Sequence, residues 1–417
     1  MANGIEWYDF AVYGALASVT VVVLLPPGPT ESRLVAVFAV SATSLVARPL
    51  GALLVARRAD RIGRHRAMAA MVLLMSGATA AIGLLPTWTA AGVVASAGLI
   101  VLRLVQGFAS GGEISASIPF LLESAPTGRW GLYGGWHTAT VALGIASGIA
   151  VAGVLAALLP TTAMEEWGWR VPFLLALPLG ATGLYVRLRL GESPAFAAEV
   201  DKQHAPVIGE VWREHGTSVR TGFVLVGVLA GTFNMWFVFL PAHLNAEDKH
   251  RLSVSLGCAA VGLVVAAVAA PLWGHLSDRV GRRPLLLAAT LAEFLLVVPL
   301  YLAAAGGSWV ALLAADVVVG TTLGALVISA HLAERFPVTV RATGIALTYG
   351  LATALVGGTA PLIGSVLAQR GWPLGIPVYL AALSAAGCVA TIRAGALVAD
   401  VADVAEESGE LGRTRGG

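Results

Sequence analysis

Apolar residues arrive in long unbroken runs, with neither the strict alternation of a strand nor the one-sided spacing of a surface helix. Leu34–Ala56, Ala67–Leu85, Ala90–Leu102, Leu252–Trp273 and Leu285–Ala304 are almost free of charge. At 1.5 Å per residue, about twenty such residues cross the roughly 30 Å hydrocarbon layer of a bilayer. Windows of that length, punctuated by Pro, Gly and charge clusters, predict twelve spans. They are Ile5–Leu25, Leu34–Ala56, Ala67–Leu85, Ala90–Ser115, Gly131–Leu159, Trp169–Tyr185, Thr221–His243, Leu252–Leu276, Leu285–Ala304, Trp309–Leu332, Gly344–Ala368 and Leu374–Leu397. The longest polar gap, Arg187–Arg220, separates two groups of six. The expected fold is therefore an all-α polytopic membrane protein with two six-helix bundles at 1–186 and 221–398. A central loop at 187–220 joins them, and an acidic tail follows at 399–417.

Composition sharpens this picture by exclusion. Of 417 residues 57% are apolar and 12% charged, about half the charge of an ordinary soluble domain, and the mean hydropathy is +0.81. Cys258 and Cys388 both fall inside apolar runs, which leaves no disulfide framework and no Cys-x-x-Cys metal site. Lys202 and Lys249, the only lysines, each follow an aspartate, so no phosphate-binding loop exists and no nucleotide is expected. A net charge of +2 points away from nucleic acid. No nucleophile, metal or cofactor constellation emerges, and an enzyme is not expected.

Lys and Arg are unevenly shared between the two sides. With both termini cytoplasmic, the inner segments hold 19 of them and the outer segments five, while Arg48 and Arg103 lie inside spans. That asymmetry predicts cytoplasmic termini in a cell membrane. The inner loops also repeat. Asp60, Arg61, Gly63 and Arg64 return 218 residues later as Asp278, Arg279, Gly281 and Arg282, with Arg283 following, and Glu123 and Pro126 return 211 residues later as Glu334 and Pro337. Two parallel six-helix repeats place a binding site between them and suit alternating access. The Asp60 and Asp278 loops, each turning at a glycine, are expected to make charge-assisted bonds across the inner face in one state and release them in another.

These residues carry a resemblance. The Asp-Arg-x-Gly-Arg loops and Arg103-Leu-Val-Gln106-Gly107 resemble motifs of the major facilitator superfamily. Asn3-Gly4-Ile5-Glu6-Trp7-Tyr8-Asp9-Phe10, Gly111-Gly112-Glu113, Trp167 to Phe173, Glu192 to Phe196 and Gly357 to Pro361 resemble its metabolite:proton symporter family, whose members carry proline and betaine, 2-oxoglutarate, citrate or shikimate. The resemblance implies proton-coupled import of a small metabolite by a monomer in the bilayer, powered by the proton gradient and without a cofactor. It is silent on the substrate. Ala56 and His65 depart from the first gate pattern, which implies a looser gate in that half, and the start at Asn3-Gly4 is short for such proteins. The tail lacks a heptad repeat.

Charge inside a span costs at least about 2.5–3.5 kcal/mol, so the residues retained there are candidates for chemistry. Glu6, Asp9 and Tyr13 share one helical face and can accept a coupling proton or cap the helix start. Arg103, Gln106 and Glu113 share a face of the fourth span, with Arg103 about 20 Å from the inner end. Arg103 can bind a substrate carboxylate through its fork or pair with a first-span acid. Asp316 maps by the repeat near the level of Arg103 in the other half, as a second proton site or a buried acid. Asn234, Arg48 and His137 are further substrate candidates, each with an alternative as an interhelical tie, a snorkelling cation or a core histidine. Glu293 reads as structural. A uniporter or exporter of the same fold, and a sensor that no longer transports, remain the alternatives.

Overall fold

The computed structural model describes residues 2–28, 64–111, 128–189 and 208–393, with shorter stretches between 35 and 55 and between 118 and 126. Asp60, Arg61, Gly63, Glu113, Ala56, the 190–207 stretch and the acidic tail lie outside the described residues, as do the side chains of Glu6, Arg64 and His65. Every regular element among the described residues is a helix. Backbone polar groups find no water in hydrocarbon, so a chain this apolar must close its hydrogen bonds within helices.

Eight described helices are long and apolar enough to cross a membrane. The first predicted span is a bent pair, Ala2–Ala15 and Ala17–Leu24, turning by 68° at Leu16. Shorter helices at Val35–Ser44, Arg64–Gly83 and Ala176–Arg189 occupy the second, third and sixth. Helix thus stands at each of the twelve predicted places. The central loop is shorter than its polarity suggested, because helix Ile208–Phe233 begins inside it and kinks at His215. Val211 and Val219 are buried there while Trp212 and Arg220 are exposed. That one-sided pattern belongs to a helix lying against the bundle, and its charged face hides it from a hydropathy window.

The two halves meet along the fifth and eighth spans, Trp130–Leu158 and Leu252–Val280. A methyl group on Gly131 or Gly274 would strike the other's carbonyl oxygen. Ala139, Ala142, Ala266 and Ala267 continue the same seam. Lipid is as apolar as leucine, so helices in a bilayer associate by close backbone approach, which small residues permit. Gly274→Val is therefore expected to force the helices apart. Size-exclusion chromatography should show monodisperse protein falling severalfold, whereas an unchanged profile and melting temperature would contradict this account of the seam.

Three later spans are irregular. The seventh passes from Phe233 into a π-turn at Asn234–Phe239, and the eleventh into one at Thr353–Gly357. Pro241 and Pro361 have no N–H to offer the carbonyls of Phe237 and Gly357, four residues back, and the wider turn absorbs each mismatch. The tenth span stops at Ala325 and resumes at Ile328, forming helices Trp309–Ala325 and Ile328–Arg335. All three irregularities reach the same interior space.

Candidate functional site: a cavity shared by the two halves

Between the halves lies a cavity that opens to solvent at its mouth. Trp7, Arg48, His137 and Thr138 line it from the first, second and fifth spans. Phe233 and Asn234, then Gly324, Leu326, Ile328 and Ser329, then Tyr349 and Thr353 line it from the seventh, tenth and eleventh. Apolar walls with a few placed polar groups are the common form of a small-molecule site. Arg48 is 7% exposed and donates from Nε to Ser110 Oγ at 3.1 Å. No acidic side chain lines this cavity among the described residues, so its charge balance favours an anionic group. Asn234 Nδ2 donates to the carbonyl of Ala230 at 2.8 Å, one turn back.

The deeper charged candidates do not line the cavity. Arg103 is fully buried, with its guanidinium 4.2 Å from the centre of the Tyr13 ring and Nη1 donating to Gln106 Oε1 at 2.9 Å. Gln106 Nε2 donates in turn to Thr79 Oγ1 at 2.7 Å, and Tyr13 OH to the Val37 carbonyl at 3.0 Å. Asp9 is buried beside this network and accepts from Ser76 Oγ at 3.1 Å through Oδ2. Its Oδ1 has no hydrogen-bond partner among the described residues. The structure therefore brings Arg103 and Gln106 together, as their helical spacing suggested, and adds Tyr13 from the first span, but within the first half instead of at the cavity wall.

The second half repeats the theme. Asp316 is 2% exposed and accepts from Trp236 Nε1 at 2.7 Å. Glu293, also buried, accepts from the hydroxyl of Thr232. Two acids from the ninth and tenth spans thus hold the seventh on either side of Asn234. Neither lines the cavity. Sequence reasoning found Asp316 through the repeat but missed its indole partner, since nothing in the spacing of Trp236 marks it as a donor.

At the end of the molecule bearing the Asp278 loop, the halves are latched. The carboxylate of Asp278 accepts from the amides of Gly131 at 2.7 Å and Leu132 at 2.9 Å, in the first turn of the fifth-span helix. An anion there meets open N–H groups and the positive end of the helix dipole. Arg282 bridges Asp278 at 2.7 Å and Glu334 at 2.9 Å, while Gly281 makes the turn at a φ of 90° that only glycine adopts freely. Arg283 Nη2 donates to the Ile392 carbonyl at 3.2 Å, and Arg279 is exposed. Arg341 donates to the Ala333 carbonyl at 2.9 Å and closes the end of helix Ile328–Arg335. Away from this latch, the Trp167–Phe173 motif makes a tie within the first half, with Arg170 Nη1 donating to the carbonyls of Gly83 and Leu85, both at 2.7 Å.

Removing the latch is testable. Asp278→Ala strands two amides, at about 1–3 kcal/mol for each buried group left unpaired. A cysteine at Thr138, in a chain also carrying Cys258→Ala and Cys388→Ala, should then react with a membrane-impermeant maleimide at least tenfold faster from the latch side. An unchanged rate would mean that Asp278 does not hold this end closed.

Known proteins share this architecture and sequence. Residues 1–206 match the family model for sugar (and other) transporters, and residues 250–411 that of the major facilitator superfamily. The ectoine/proline transporter ProP of Corynebacterium glutamicum is 32% identical over 411 residues, covering 94% of this chain and 82% of that protein. The proline/betaine transporter of Escherichia coli is 30% identical, covering 91% and 78%, and the alpha-ketoglutarate permease of the same species 30%, covering 88% and 86%. Among solved structures, the proton:xylose symporter XylE bound to 6-bromo-6-deoxy-D-glucose superposes with a TM-score of 0.73 at 15% identity, over 94% of this chain and 92% of that one. The fold is the twelve-helix, two-bundle fold of that superfamily, and the protein is a multi-pass membrane transporter, not an enzyme. By its sequence relatives and its architecture alike, the chain belongs to the major facilitator superfamily, among the transporters of small metabolites.

Proposed function

We propose that the protein imports a small carboxylate-bearing metabolite, an organic acid or a zwitterion such as proline or betaine, together with protons. The observation that carries this reading is the cavity built by both halves, where buried Arg48 supplies charge and no acid lines the wall among the described residues. The relatives named for ectoine, proline, betaine and alpha-ketoglutarate all handle compounds with a carboxylate. A guanidinium binds a carboxylate through two parallel N–H bonds, which fixes orientation as well as charge. Asp9 and Asp316 stand outside the cavity, each with one carboxylate oxygen that no described donor engages. Either oxygen can take a proton without breaking a bond. Coupling then arises if substrate and proton both favour the same tilt of the halves about the glycine seam, with the Asp278 latch closing one end.

The Lys and Arg asymmetry supports a cell-membrane placement with both termini and the latch in the cytoplasm. The protein works as a monomer in this reading, with the proton gradient as its energy source and no cofactor or metal. Purified protein in proteoliposomes, offered labelled L-proline, glycine betaine and 2-oxoglutarate, should accumulate at least one of them when the interior is alkaline. Dissipating the gradient should return the internal concentration to the external one. Equilibration without accumulation would make the protein a uniporter, and no uptake of any compound by folded protein would remove the import reading.

A further inference from the structure

We propose that the interruption in the tenth span is the second half's share of the substrate site, a carboxylate-binding helix start formed by Ser329 and the amides of Ser329 and Ala330. This inference rests on the carboxylate-carrier reading above and gives its anionic end a place in the second bundle.

The break leaves a helix beginning in the middle of a membrane span. Helix Ile328–Arg335 starts with no side-chain cap at Val327. Around the break Val327 N–H donates to the Ala325 carbonyl at 2.9 Å, Ile328 N–H to that of Leu326 at 2.7 Å, and His331 N–H to that of Val327 at 3.3 Å. The two amides between, Ser329 and Ala330, make no backbone hydrogen bond among the described residues. Open N–H groups in hydrocarbon are costly, and irregular backbone at this depth persists where it lines a cavity. Gly324, Leu326, Ile328 and Ser329 all line the cavity here.

A second observation is independent of the helix start. Ser329 is 6% exposed, its side chain belongs to the cavity wall, and no described residue bonds its hydroxyl. A serine in the first turn whose hydroxyl faces a cavity supplies a third donor beside two free amides. Across the crossing with the fifth span, Gly134 carries no side chain where a methyl group would stand 3.3 Å from the Ala330 nitrogen and 3.6 Å from the Ser329 β-carbon. Helix starts with free amides bind anions, and transporters with broken helices present such ends to carboxylates. Arg48 lines the same cavity from the first half, so an anion held at both places would draw the two halves together. A chloride ion satisfies the same donors, and the experiment separates it from a carboxylate.

Equilibrium binding to detergent-solubilised full-length protein, with L-proline, glycine betaine and 2-oxoglutarate as labelled probes, gives the direct test, with L-prolinamide as the carboxylate-free analogue. Wild-type protein should bind at least one carboxylate tenfold or more tighter than the amide. Ser329→Ala should weaken that carboxylate about tenfold while changing L-prolinamide less than twofold. Ser329→Asp, which sets a like charge at the helix start, should abolish carboxylate binding, and Ser329→Thr, which keeps the hydroxyl, should restore it to within threefold of wild type. Monodisperse elution of each variant shows that it is folded. Carboxylate affinities unchanged in both the Ala and Asp variants would overturn the proposal, as would a wild-type protein that binds none of the three probes, or chloride binding that Ser329→Asp abolishes while carboxylate affinity stays at the wild-type value. Carboxylate binding that follows the expected series in a protein showing no proton-driven uptake would uphold this site and remove the symport reading instead.

Discussion

Arg48→Ala should raise the KM for transported carboxylates at least a hundredfold, with accumulation lost at micromolar substrate. Hydrogen bonds to a charged group contribute about 1.5–3 kcal/mol each, and a bidentate fork makes two, so a loss of two orders of magnitude in binding is the lower end. Arg48→Lys keeps the charge but not the fork, and an intermediate KM is expected. The competing explanation is that Arg48 merely ties the second span to the fourth through Ser110 Oγ. Ser110→Ala discriminates the two, because it removes that tie and leaves the guanidinium in the cavity wall. Transport by Arg48→Ala at an unchanged KM would place the substrate elsewhere.

Asp9→Asn should separate transport from the proton gradient. The carboxamide has the shape of a protonated carboxyl and keeps an acceptor for Ser76, but it cannot release a proton. Exchange of labelled for unlabelled substrate should continue, whereas accumulation against an alkaline interior should fall to a ratio of about one. Raising external pH should then leave the initial rate of the variant flat, while the wild-type rate declines as the driving proton becomes scarce. A variant that still concentrates substrate would shift the coupling role to Asp316, whose free oxygen offers the same chemistry in the other half. Combining Asp9→Asn with Asp316→Asn resolves that outcome directly.

Much of this protein is legible in its sequence. The spans, the two-fold repetition and the Asp278 loop follow from local rules, since hydrocarbon length and helix rise leave little freedom in how a run of twenty apolar residues is used. The Gly281 turn and the Arg282 pairings sit where the repeat placed them. Arg103 and Asp9 were visible as charges in hydrocarbon, and Gln106 as a neighbour of Arg103 on the same face, but their partners on other helices were not. Tyr13 and Ser76 are chosen by how three helices rotate against one another, which no single-helix periodicity encodes. Trp7, Tyr349 and Ser329 were not recognised as lining residues for the same reason. Each is an ordinary span residue until several helices are assembled around it.

The sequence by itself determined that the chain is a bundle of membrane helices in two related halves, and that its few interior charges matter. Both conclusions rest on the energy of transferring residues into hydrocarbon, which is additive along a chain and needs no neighbours. Only the tertiary structure decided which of those charges line the cavity between the halves. Arg48 does, while Arg103, Asp9, Asp316 and Glu293 are enclosed by partners within their own halves. It also revealed the break at Leu326 and Val327, which no proline or charge announces. A helix gives up backbone bonds at such a place only where packing from other spans and a shared interior space make the interrupted form the stable one.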